Sequence, residues 1–90
     1  MMTYKQLKVG IINGTIYDFP EVEDILPSHV HTETTNHITI VARGSFTVNL
    51  PERTMTLNCG DVVNWPANQA HEFVALEPNS RLVNIVKGAA

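Results

Sequence analysis

The chain has 90 residues, of which 43% are hydrophobic and 17% charged. That predicts a single domain over residues 1–90, near the small end of what folds unaided. Its net charge of −3 and its 6 scattered Lys and Arg residues exclude nucleic acid as a main partner, because no basic cluster is present to neutralise phosphates. No stretch approaches the roughly 18 apolar residues of a membrane span, and no apolar run of a secretory leader follows the start. The lone Cys59 cannot close an intrachain disulfide, so a cytoplasmic location is expected. So little charge on so small a domain also predicts a homodimer, which would hide more surface.

Turn-forming residues punctuate the chain at short, regular intervals: Asn13-Gly14, Pro20, Pro27, residues 33–36, Arg43-Gly44, Pro51-Glu52, residues 58–61, 66–68 and 77–80. Between them lie runs of about four to nine residues rich in Val, Ile, Thr and Phe, the composition of strands. Residues 9–12 and 15–19 flank Asn13-Gly14, a strong hairpin signal. Residues 20–25 read as an acidic turn, and 26–32 as a strand carrying two histidines. Residues 37–43 are apolar on both faces, as expected of a strand buried between two layers. Residues 45–50 and 53–57 form a hairpin, and 61–65, 70–76 and 81–87 complete the set. No segment sustains an apolar period of 3.6, so the chain reads as all-β, with eight or nine short antiparallel strands closed or doubled to remove exposed edges.

Three of the 4 histidines fall in residues 29–37. His29 and His31, two apart on a strand, point to one face about 6.5–7 Å apart. Two imidazoles so placed can converge on a metal ion at roughly 2.0–2.2 Å each. His37 follows a polar break, and a tight reversal there would bring it onto the neighbouring strand beside the first pair. Glu33 competes with His37: if the first strand runs on unbroken, residues 29, 31 and 33 share a face. The plain alternatives are half-exposed strand histidines and a solvated turn carboxylate.

The spacing His29-x-His31-x5-His37-x6-Gly44 is joined by Gly60-x5-Pro66-x-Asn68-x2-His71. Together, over residues 29–44 and 60–75, they resemble the two consensus motifs of the cupin superfamily, and the resemblance extends over about residues 26–88. It implies a small jelly-roll β-barrel. It also implies a metal held by His29, His31, His37 and His71, with His37 standing where the family usually has Glu. The second motif's closing Asn falls on Ala75. Of the remaining residues, Phe46, Trp65 and Phe73 read as core, with Phe73 near the metal. Thr39 and Val41 look inward in phase with His37, Thr39 with a hydroxyl to offer a ligand. Glu72 and Arg43 read as surface residues, Cys59 as a small filler, and Gly44 and Gly60 as turn glycines with positive φ.

Four neutral imidazoles leave the +2 charge of a divalent ion uncancelled, which favours a small anionic or chelating organic molecule as ligand. Imidazole suits several metals, so Fe, Ni, Mn, Co and Zn all stay open. Three roles follow: a metal-dependent enzyme (dioxygenase, or isomerase or lyase, with Glu33 the charged candidate for proton transfer), a non-catalytic metal and small-ligand binding module, or a barrel with a structural metal.

Overall fold

The structure, a computed structural model, describes residues 1–29, 37–65 and 69–87, the side chains of residues 29, 86 and 87 excepted. Nine strands occupy these residues: β1 (Thr3–Val9), β2 (Ile12–Phe19), β3 (Ile25–His29), β4 (His37–Arg43), β5 (Ser45–Asn49), β6 (Thr54–Asn58), β7 (Val62–Trp65), β8 (His71–Ala75) and β9 (Ser80–Lys87). They form two antiparallel sheets, β1-β2-β9-β4-β7 and β3-β8-β5-β6. The fold is all-β, as the strand spacing predicts, and a jelly roll, as the resemblance implies. Among the described residues there is no helix long and apolar enough to cross a membrane.

The alternation of β4 sets the inner surface of the first sheet. His37, Thr39 and Val41 are buried, while Ile38 and Ile40 face outward and remain partly covered. On the inner side lie Phe19, Trp65 and Leu82 from the first sheet, facing Leu26, Phe46, Val48, Leu57, Phe73 and Ala75 from the second. Aromatic edges tie the layers together. Phe19 meets Phe46 edge-on at 4.8 Å and Trp65 meets Phe73 at 6.0 Å, contacts of the kind worth about 0.5–1.5 kcal/mol beyond burial.

The first hairpin differs from the sequence expectation. Its turn is Gly10-Ile11, between Val9 and its partner Ile12, and Asn13-Gly14 lies inside β2. Gly10 has φ 60° and Ile11 is not in the positive-φ region, the pattern of a two-residue turn with glycine first. Gly14 is a glycine for another reason. A Cβ there would lie 2.8 Å from the backbone carbonyl oxygen of Asn84 on β9, so it marks a close strand approach.

Other positions divide similarly. Gly44 and Gly60 do adopt positive φ, 78° and 93°. Arg43 is exposed and donates through Nε to the Asn79 carbonyl. Glu72 is half-buried and accepts from Asn49 Nδ2 at 2.8 Å. Cys59 is exposed and fills no gap in the core, because its side chain sits at a surface turn.

Candidate functional site

His37 opens β4 and His71 opens β8, in opposite sheets, and both are buried. Their ring centroids are 5.7 Å apart, close enough for nitrogens of both to reach one ion at about 2.0–2.1 Å each. The expected route to this meeting is corrected. β4 is not the neighbour of the strand that bears His29, because the two belong to different sheets. The neighbour of β3 is β8, and His29 stands directly opposite His71 in its register. His37 and His71 therefore meet across the inside of the barrel, brought together by sheet packing.

His71 is held by its surroundings. Trp65 stacks on its ring at 4.8 Å and 17°, and Phe73 presents an edge at 5.5 Å. Its Nδ1 lies 3.0 Å from the Gln69 carbonyl oxygen. A carbonyl only accepts, so Nδ1 carries the proton and Nε2 keeps the lone pair, the arrangement that orients a histidine as a metal ligand. The donor chemistry here fits a divalent transition metal. Among the described residues no group of three or more His, Cys, Asp or Glu side chains converges. His31 and Glu33 lie outside the described residues, as does the side chain of His29, so the structure brings together two of the four predicted ligands.

Thr39 does not offer its hydroxyl to a ligand, contrary to expectation. It donates to Asn84 Oδ1 at 2.7 Å and accepts from Trp65 Nε1 at 2.8 Å. This buried chain fixes the indole that stacks on His71 and orients the Asn84 amide.

A cavity of about 170 Å³ opens beside His37, which walls it together with Asn84, Gln6, Asn13, Gly14, Thr15 and Tyr17. Apart from His37, none of these residues was read from sequence as part of a site. Their signal was present as alternation, since residues 13, 15 and 17 of β2 share one face. Only the register shows which face. Thr15 pairs with Asn84, and Asn84 in turn with Thr39, so the polar side of β2 is the inner side.

No family model matches the chain, and no curated protein matches it. Solved structures do. KdgF from Halomonas sp. is 23% identical with a TM-score of 0.83, over 99% of this chain and 80% of that one. A cupin superfamily protein from Desulfitobacterium hafniense is 11% identical with a TM-score of 0.81, over 99% and 79%. An RmlC-like cupin from Desulfovibrio desulfuricans is 17% identical with a TM-score of 0.81, over 98% and 84%.

Proposed function

This chain has the cupin fold, and on that premise we propose that it binds one divalent transition metal (Fe, Ni, Mn, Co or Zn) and a small anionic or chelating organic molecule beside it. His29, His31, His37 and His71 hold the metal in this reading, with Glu33 the alternative to His37. Bound there, the ion supplies a Lewis acid next to the cavity, suited to dioxygenase or to isomerase or lyase chemistry. The chain's own residues do the rest. His71 is oriented through Gln69, Trp65 and Phe73 keep one side of its ring dry, and the cavity wall positions the organic molecule.

The observation that carries the reading is that His37, beside His71, forms part of the wall of a polar cavity. A purely structural metal has no use for such an opening. A non-catalytic binding module is the second reading, favoured because the cavity's lining among the described residues carries no carboxylate. Elemental analysis of tag-free protein purified without chelators, followed by a spectrum under O₂, tests the proposal. Near one equivalent of Fe, Ni, Mn or Co supports an open site; zinc that resists chelation until unfolding supports a structural one; no metal after reconstitution refutes both.

We also propose a homodimer. The outer face of the first sheet carries Leu7, Ile16, Ile38, Ile40, Val83 and Ile85, aligned by the strand registers. These six side chains carry no charge, and Lys5, opposite Ile16 in the register, stands at the β1 edge of the strip.

A further inference from the structure

The cavity beside His37 is lined by hydrogen-bonding groups, with Asn84 buried, Thr15 and Tyr17 half-buried and Gln6 and Asn13 exposed. Gln6, Thr15, Asn84 and Thr39 form one row across β1, β2, β9 and β4. Asn13 belongs to the next row, which begins at the exposed Lys8, outside the lining, and ends at His37 and Trp65. The lining therefore offers three side-chain amides, one aliphatic hydroxyl and one phenol, each able both to donate and to accept. None carries a charge at neutral pH.

Such a wall discriminates. An apolar ligand would cover these groups without pairing them, and an ionic one would find no counter-charge among them. Alcohol hydroxyls, which also donate and accept, match them group for group. Asn84 shows the preparation most directly: its Oδ1 accepts from Thr39, which leaves its NH₂ corner to donate to an occupant. The volume of about 170 Å³ gives room for a short hydroxylated chain.

We propose that this cavity binds the hydroxylated tail of a small polyhydroxy acid, whose acidic or chelating head lies at His37 and His71. The inference rests on the ligand-binding reading of that site and narrows it to one substrate class. The cavity is a specificity element, reading hydroxyls through Gln6, Asn13, Thr15, Tyr17 and Asn84.

The test follows the side-chain amide NH₂ signals of Gln6, Asn13 and Asn84 by ¹⁵N–¹H correlation spectroscopy of the full chain, titrated with D-gluconate or with hexanoate. The two probes share length and charge and differ in hydroxyls. Saturable shifts of these signals with gluconate and none with hexanoate are expected. Gln6→Leu and Thr15→Val, both on strand positions away from the hydrophobic core, should each weaken gluconate about tenfold, as loss of a hydrogen bond predicts. Metal content per chain, measured on the same samples, should not change. Equal response to hexanoate, shifts scattered elsewhere, or unaltered gluconate binding in both variants would overturn the inference. Failure of the underlying metal reading would look different: no metal in the parent protein while gluconate still moves the same three amides.

Discussion

Replacing Thr39 by Val removes one hydroxyl and almost no volume. Thr39 is fully buried, and its hydroxyl joins Trp65 Nε1 to Asn84 Oδ1. In the variant the indole N–H loses its acceptor and the Asn84 carbonyl loses its donor. Each buried polar group left unpaired costs about 1–3 kcal/mol, so a destabilisation of about 2–4 kcal/mol is expected. Thr39→Ser supplies the contrast, because it keeps the hydroxyl and loses only a methyl, at about 1 kcal/mol. Urea unfolding followed by the emission of Trp65, the chain's one tryptophan, reads both. The native-state emission of the Val variant should also change, since the indole N–H partner is gone. If the Val variant is as stable as the parent, or the Ser variant is the weaker of the two, the hydrogen-bonded chain does not hold this part of the core.

Gly14→Ala should destabilise by about 1–3 kcal/mol, although the exchange ordinarily favours a strand, because the new Cβ meets the Asn84 carbonyl oxygen at 2.8 Å; a higher melting temperature would refute the close approach. His71→Ala should lower metal occupancy and melting temperature together, and metal retention in the parent should fall below about pH 6.5, where protons compete for imidazole; a flat profile from pH 8 to 5 would refute the histidine site. The hydrogen bond from Arg81 holds the Asp18 carboxyl below its usual range, helped by the charges of Arg81, Arg43 and Lys5 against the opposing effect of burial. With the folded value depressed, this contribution is complete above the ordinary carboxylate pKa of about 3.9 and is lost as pH falls through the folded value. Urea titrations of Asp18→Asn should therefore converge on the parent in acid and diverge near neutrality. Sedimentation should give a dimer that Ile40→Lys converts to monomer, and an unchanged mass for that variant would remove the outer face as the interface.

Local chemistry already carried the strand pattern. β-branched runs between turn residues place β4 at residues 37–43, where the structure has it, because period-2 alternation and turn propensity act within a few residues. The glycine-led turn at residues 10–11 was harder to read. Gly10-Ile11 and Asn13-Gly14 both allow a hairpin, and what separates them is the pressure of the β9 backbone on Gly14, 70 residues away in sequence. The histidine spacing likewise pointed to a shared site without specifying its construction. That His71 lies opposite His29 depends on β3 pairing with β8, and that His37 meets His71 depends on two sheets closing face to face.

What the sequence by itself determined is therefore the class of the fold and the residue types that meet at its centre, since both follow from propensity and spacing. Which sides of β1 and β2 face inward, why Gly14 is a glycine, and how Thr39, Trp65 and Asn84 bond beneath His37 were decided only by tertiary structure. Those outcomes depend on pairings between strands distant in the chain, and a change of one residue in register would turn every such side chain to the other face.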